Sequence, residues 1–314
     1  MPDYISWIIF ALAVGGLLSL DLFVFHREAR AVRMREASAW VAVWVSLGLA
    51  FGGWIFLTRG TTSGAEYLAG YLIEYSLSMD NVFVFAVLFA YFGVPAQYQH
   101  RLLFWGVMGA IVFRAIFILA GTALLASFHF VIYLFGALLL FTAWRMVTAG
   151  TDHVDPSANP VLRVMRRVIP VTEGFEGQRF FTRRNGRLWA TPLFAALVVV
   201  ETSDIMFAID SVPAILAITT DTFIVFTSNA FAIMGLRSLY FLLAGLIDRF
   251  EYLKYGLAAL LAFAGLKMLA SDVVHLDVWV SLGIIVAILV VSVVISLLAT
   301  RGKRVPEGSP PPPS

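Results

Sequence analysis

The chain has 314 residues, of which 60% are hydrophobic and only 13% are charged, and its mean hydropathy is +0.88. Since soluble domains carry about 25% charged residues, these proportions exclude an ordinary soluble protein. The formal net charge of +2 does not indicate nucleic-acid binding, and the absence of cysteine excludes disulfides, thiolate metal sites and thiol catalysis.

Unbroken apolar runs of about 20 residues predict membrane-spanning helices, because lipid offers no hydrogen bonds to the backbone. We predict an all-α, polytopic transmembrane helix bundle of about nine spans, contained in residues 1–298. The spans are expected at residues 4–25, 40–57, 67–92, 102–124, 128–147, 190–218, 223–247, 252–270 and 278–298. A long loop is expected at about 149–189, and the proline-rich tail, 299–314, is expected to be disordered.

Basic residues collect in alternate loops, and the positive-inside rule therefore predicts an orientation. With the N-terminus outside and the C-terminus in the cytoplasm, the outer loops carry only Arg59. The cytoplasmic side then holds Arg27, Arg30, Arg33, Arg35, Arg101, Arg163, Arg166, Arg167, Arg179, Arg183, Arg184, Arg187, Arg249, Lys254, Arg301, Lys303 and Arg304. The long basic loop is therefore expected in the cytoplasm, either as a lipid-facing topogenic segment or as a regulatory or partner-binding one.

The third and sixth spans carry the same order of residues: an acid, five intervening residues, a second acid, a short polar residue and valine. The two copies are Glu74 with Asp80-Asn81-Val82 and Asp204 with Asp210-Ser211-Val212. Met-Gly pairs followed by an arginine recur in the next spans, ending at Arg114 and Arg237. We therefore predict two three-helix units, about 66–148 and 190–270. Because each unit has an odd number of spans, the second copy is expected to be inverted.

Ionised side chains in a span cost about 2.5–3.5 kcal/mol each on insertion scales, so the acids of these spans are candidate functional residues. Oxygen ligands suit Mg²⁺, Ca²⁺ and Mn²⁺. The predicted metal ligands are Glu74, Asp80, Asn81, Glu201, Asp204, Asp210 and Ser211. Asp80 and Asp210 are expected to hold the ion, with the other acids supporting. The buried cations Arg114, Arg237 and Lys267 either hold helices together or neutralise the empty site.

Four segments carry a resemblance to a known family: residues 19–27, 74–83, 201–214 and 228–241. The chain resembles the TerC family of integral membrane proteins, including its Alx branch, over nearly its whole length. The resemblance implies a helical protein of the bacterial plasma membrane, related to the LysE-type exporters and associated with manganese export and with supplying metal to secreted enzymes. The family's acidic positions match Glu74, Asp80, Glu201, Asp204 and Asp210, next to Asn81 and Ser211.

The expected function is export of divalent cations, most of all Mn²⁺, by exchange with protons. The alternatives are export of Ca²⁺ or another cationic solute, and a non-transporting membrane scaffold that docks partners through its arginine-rich loop. We expect no enzymatic activity, because no nucleophile motif or nucleotide loop is found. No permanently bound cofactor is expected. The expected partners are the lipid bilayer, the transported metal ion, and a second copy or another membrane protein, but not nucleic acid.

Overall fold

A computed structural model of the chain describes residues 3–25, 34–148, 159–184, 186–243 and 253–300. These ranges are almost entirely helical, which confirms the all-α polytopic fold. The helices are α1 (Asp3–Phe25), α2 (Met34–Arg59), α3 (Thr61–Tyr91), α4 (Ala96–Ser127), α5 (Val131–Thr148), α6 (Pro160–Val168), α7 (Pro192–Leu216), α8 (Thr222–Met234), α9 (Leu236–Leu243), α10 (Leu253–Leu269) and α11 (Val278–Thr300). The strands β1 (Phe181–Arg184) and β2 (Arg187–Ala190) form an antiparallel hairpin.

Seven helical segments of the described residues are long and apolar enough to cross a membrane. They are α2, α3, α4, α5, α7, α11 and the segment Thr222–Leu243, in which α8 and α9 are separated at Gly235. The other two predicted spans correspond to α1 and to α10, which has 17 residues. The count of nine spans therefore stays a prediction, as does the orientation of the termini.

The predicted cytoplasmic loop is folded wherever the structure describes it. Asn159 caps α6, because its side chain accepts hydrogen bonds from the backbone N–H groups of Val161 and Leu162. The backbone of Ala190 at the end of β2 hydrogen-bonds with Pro170 and Thr172, which ties the hairpin to the segment after α6. Residues 149–158 of the predicted loop and 301–314 of the predicted disordered tail lie outside the described residues.

Helix α3 lies at the centre of the bundle and contacts α2, α7, α8, α9, α10 and α11. Glu66, near the start of α3, accepts a hydrogen bond from Thr219, just after the end of α7. Leu193 at the start of α7 belongs to the same core cluster as Phe89 near the end of α3. Helices α3 and α7 therefore run antiparallel.

The three most extensive contacts between helices join α5 to α10, α3 to α8 and α4 to α7. Each contact joins one predicted three-helix unit to the other, and the α3–α8 contact has its counterpart in the α4–α7 contact. Two related units would give this reciprocal pattern, although the inverted repeat itself stays a prediction. At the α5–α10 contact, a Cβ on Gly265 would lie 2.8 Å from the Gly136 carbonyl oxygen, so glycines allow the backbones to approach closely.

Candidate functional site

A buried arginine on α4, Arg114, lies between a carboxylate of α3 and a carboxylate of α7. Its Nη1 donates a hydrogen bond to Oε1 of Glu74, and its Nη2 donates to Oδ1 of Asp204 at 3.2 Å. The side chains of all three residues are at most 3% exposed. Both acids therefore share one guanidinium as their counter-charge. Pairing of this kind makes buried charges tolerable, because an unpaired ion would keep its full desolvation penalty.

Neutral polar groups complete the hydrogen bonding around this arginine. Ser211 on α7 and Asn229 on α8 accept from Nη1 of Arg114 at 3.1 and 3.2 Å. Since Nη1 carries two hydrogens and also contacts Glu74, its three acceptors share them. The Asn229 amide donates to Oε2 of Glu74 at 3.0 Å, and Ser78 donates to Oε1 of Glu74 at 3.2 Å. We name this group the Arg114 cluster: Glu74, Ser78, Arg114, Asp204, Ser211 and Asn229.

Helical spacing explains how four segments supply the Arg114 cluster. Glu74 and Ser78 are four residues apart on α3, and Asp204 and Ser211 are seven apart on α7, so each pair lies on one helix face. Helix α4 packs along α7 and also contacts α8, and it brings Arg114 to both faces. The cluster carries two negative charges and one positive charge when both carboxyls are ionised. The site therefore remains attractive to a further cation.

Glu201 lies one turn before Asp204 on α7, outside this hydrogen-bond network. Its carboxylate packs directly on Gly109 of α4, in the space that a Cβ at that position would occupy. Its Oε2 is buried and has no hydrogen-bond partner among the described residues. The nearby negative charge of Asp204 repels the negative charge of the Glu201 carboxylate. Glu201 is therefore a half-buried acid without the cation that Glu74 and Asp204 share.

The second acid of each repeated motif lies away from Arg114. Asp80 is near the start of α10, where Lys254 is the cation whose charge acts on it. Asp210 accepts a hydrogen bond from Thr142 of α5 at 2.8 Å, and Arg145 is its nearby cation. Each second acid is six residues beyond the first, about 9 Å along its helix. Because α3 and α7 are antiparallel, Asp80 and Asp210 are displaced toward opposite faces of the bundle.

The predicted ligands are thus divided among several places. Glu74, Asp204 and Ser211 meet in the Arg114 cluster, Glu201 lies beside it, and Asp80 and Asp210 lie apart. Asn81 is 3% exposed, and in the part of the chain that the structure describes its amide nitrogen has no hydrogen-bond partner. Within the described ranges, no three acidic or histidine side chains are grouped so that they could hold a metal ion in this conformation. The metal-ligand set stays a prediction.

Two members of these networks were missed by sequence reasoning. Asn229 bridges Arg114 and Glu74, and Thr142 donates to Asp210. Asn229 is the one amide side chain within α8, and such a polar group in an apolar segment was a usable signal. Thr142 gave no comparable signal, because threonine is common in membrane helices and usually bonds to its own backbone. Its role depends on the packing of α5 against α7.

Comparisons with known proteins identify the family. Residues 59–304 match the family described as integral membrane protein TerC. The chain is 50% identical over 295 residues to an uncharacterized membrane protein of Myxococcus xanthus, covering 94% of this chain and 92% of the relative. It is 48% identical over 299 residues to a protein of Escherichia coli named as a membrane-bound redox modulator, Alx, covering 92% and 93%. No solved structure matches the chain. The chain belongs to the TerC family of integral membrane proteins.

Proposed function

We propose that this protein is a carrier that exports divalent metal cations, chiefly Mn²⁺, in exchange for protons. The observation that carries the proposal is the position of the five acids predicted as metal ligands on the antiparallel, adjacent helices α3 and α7. Only Glu74 and Asp204 among them share the buried guanidinium of Arg114. Acids in membrane helices are unfavourable unless they have a cationic partner, so an excess of them favours a cation as cargo. Carboxylate, amide and hydroxyl oxygens are ligands that suit Mn²⁺.

The proposed transport cycle uses Arg114 as the counter-charge of the empty site. When the ion is absent, the guanidinium pairs with both Glu74 and Asp204, as it does in the conformation described above. A divalent cation that reaches these carboxylates takes the place of the guanidinium. Asp80 and Asp210, displaced in opposite directions along α3 and α7, serve as the acids that receive and release the ion. Glu201 takes up a proton when the metal has left.

A second candidate cargo is an organic cation that carries a guanidinium or ammonium group. The supporting observation is that Glu74 and Asp204 already bind one guanidinium, with Asp204 accepting from two nitrogens of Arg114. The name of the Escherichia coli relative suggests a redox role, but this chain contains no cysteine for thiol exchange. A redox effect of this chain would therefore act through the transported ion.

The proposal is tested by measuring the manganese content of cells under manganese load with elemental mass spectrometry. The intact chain is compared with Asp80→Asn, Asp204→Asn and Asp210→Asn at equal levels in the membrane. Asp272→Asn is the matched control, since this half-exposed side chain lies in the turn after α10, away from the acid motifs. We expect the intact chain and the control to lower cellular manganese, and the three variants to fail.

Two other results would redirect the proposal. If the intact chain leaves manganese unchanged and lowers calcium or a cationic amino acid, the cargo is wrong and the carrier function stands. If no solute changes while the variants lose assembly in the membrane, the acids are structural and the scaffold alternative is favoured.

A further inference from the structure

The helix α6 carries three different faces. Leu162 and Met165 are buried and belong to the core cluster that includes the start of α7. Val161, Val164 and Val168 are 46%, 58% and 73% exposed. Their spacing of three and four residues places them in one row along the helix. The described part of the chain therefore covers only one side of α6 and leaves a continuous apolar row beside it uncovered.

The third face of α6 is basic. Arg163, Arg166 and Arg167 are all exposed and form a row that borders the valine row, with Arg167 next to Val164 on the helix surface. We name these six residues the α6 surface: Val161, Arg163, Val164, Arg166, Arg167 and Val168. Apolar and basic rows that run side by side along a short helix are the pattern of helices that lie in the headgroup layer of a membrane.

The surroundings of the α6 surface are also basic. Residues 159–190 contain seven arginines and two glutamates, a net charge of +5. Arg184 is held by Glu176 at 2.7 Å. Hydrogen bonds from Thr182 and Arg184 keep the pKa of Glu176 below its usual value, so this pair stays ionised at neutral pH. The three arginines of α6 have no ion pair of this kind among the described residues and are available to an anion.

The position of α6 indicates which anion it meets. The helix lies between the end of α5 and the start of α7, so it is at the membrane face where these two spans end and begin. A soluble polyanion would satisfy the arginines and leave the valine row in water. A phospholipid satisfies both, since its phosphate pairs with arginine and its acyl chains cover the valines. We propose that the α6 surface is a binding site for the headgroups of anionic phospholipids.

The test is hydrogen exchange, followed by mass spectrometry, on the purified full chain in lipid nanodiscs. Nanodiscs of phosphatidylcholine alone are compared with nanodiscs of an equal mixture of phosphatidylcholine and phosphatidylglycerol. We expect the amides of α6 to exchange about tenfold more slowly in the anionic discs, because basic residues near such a surface are attracted to it. The difference should shrink in high salt, since salt screens exposed charges.

Two triple variants locate the effect. R163Q/R166Q/R167Q should abolish the dependence on phosphatidylglycerol, and the matched control R179Q/R183Q/R187Q, which removes the same charge outside α6, should keep most of it. Both sets of side chains are exposed, so the fold is preserved. Equal exchange in the two kinds of disc, or equal loss in both variants, would overturn the proposal. The proposal would also be overturned, in favour of a soluble polyanion, if heparin slowed the exchange of α6 in discs without anionic lipid and phosphatidylglycerol did not slow it.

Discussion

The two acids of each repeated motif have different surroundings in the structure. The first acids, Glu74 and Asp204, meet at Arg114, whereas the second acids, Asp80 and Asp210, lie on opposite sides of that meeting point. Helix direction explains the difference. Where two antiparallel helices cross, six further residues along each helix lead away from the crossing in opposite directions. A motif repeated on antiparallel helices therefore brings only one pair of equivalent residues together.

The comparison separates two kinds of acid, the buried Glu74 and Asp204 and the half-buried Asp80 and Asp210. The first acids share a guanidinium and several neutral hydrogen bonds, so they link α3, α4, α7 and α8. Among the described residues, the second acids each have one cation whose charge acts on them, Lys254 on α10 for Asp80 and Arg145 on α5 for Asp210. Loss of a first acid should therefore disturb folding and transport together, while loss of a second acid should disturb transport with a smaller change in stability.

The largest effect is expected from Arg114→Gln. This change leaves Glu74 and Asp204 buried without their counter-charge, and breaking a buried pair in this way typically lowers the free energy of unfolding by about 3–5 kcal/mol. The change in the free energy of unfolding is measured by denaturant unfolding of the purified protein in detergent. The double variant Arg114→Gln/Asp204→Asn should recover part of the loss, because one stranded charge is removed. An unfolding curve of Arg114→Gln that overlays that of the intact chain would contradict the shared-counter-charge interpretation.

A smaller effect is expected when a first acid is compared with a second one. Asp204→Asn removes hydrogen bonds between charged groups and should lower the free energy of unfolding by about 1.5–3 kcal/mol. Asp210→Asn keeps a side chain that can still accept from Thr142, so its loss should stay below about 1 kcal/mol. The same detergent unfolding measurement compares them. The division of the acids into two kinds fails if Asp210→Asn is as damaging as Asp204→Asn.

The hydrogen bond between Thr142 and Asp210 can be examined by a double-mutant cycle. Thr142→Val keeps the shape of the side chain and should lower the free energy of unfolding by about 0.5–1.5 kcal/mol. Combined with Asp210→Ala, the two losses should not add, since they remove the same contact. Thr122→Val is the matched control, because Thr122 hydrogen-bonds only to its own helix in the described structure. Additive losses would show that the two residues act separately.

The smallest effect on stability is expected from Gly109→Ala. A Cβ here needs the space of the Glu201 carboxylate, so that side chain must rotate away. Alanine favours a helix over glycine by about 1 kcal/mol, which offsets part of the disturbance. We expect nearly unchanged unfolding and reduced manganese export. Gly53→Ala is the control, because its Cβ would enter open space. Export equal to that of the control would remove Glu201 from the proposed cycle.

The sequence predicted the features that depend on local composition. Hydropathy located the helices of the bundle, and the repeated motif pointed to α3 and α7 as the helices that carry the acids. Arg114 was recognised as a buried cation with an undecided role. Its two partners could not be predicted, because they depend on how α4 crosses α3 and α7, and this crossing is set by packing between segments far apart in the chain.

Other features were missed for identifiable reasons. Helix α6 lies in a segment that we had predicted only as a loop, although Asn159 followed by Pro160 is a recognisable helix start. Its high arginine content explains the omission, because a membrane-spanning helix is recognised by a uniformly apolar run and α6 is not one. The break between α8 and α9 at Gly235 was hidden for the opposite reason. Both helices are apolar, so hydropathy records one continuous span.

The glycine contact between α5 and α10 brings the backbones of the two predicted three-helix units into direct contact. Gly136 and Gly265 face each other without side chains of their own, so the two backbones touch directly, with Leu269 of α10 and Leu140 of α5 packed against the contact. Neither helix carries an acid of the repeated motifs. If the two predicted three-helix units tilt against each other during transport, we expect the rotation to be centred on this contact. The helices would then separate most at a distance from it, near Arg114. A bulky residue at position 265 would push the two backbones apart. We expect it to reduce transport although it changes no charged group.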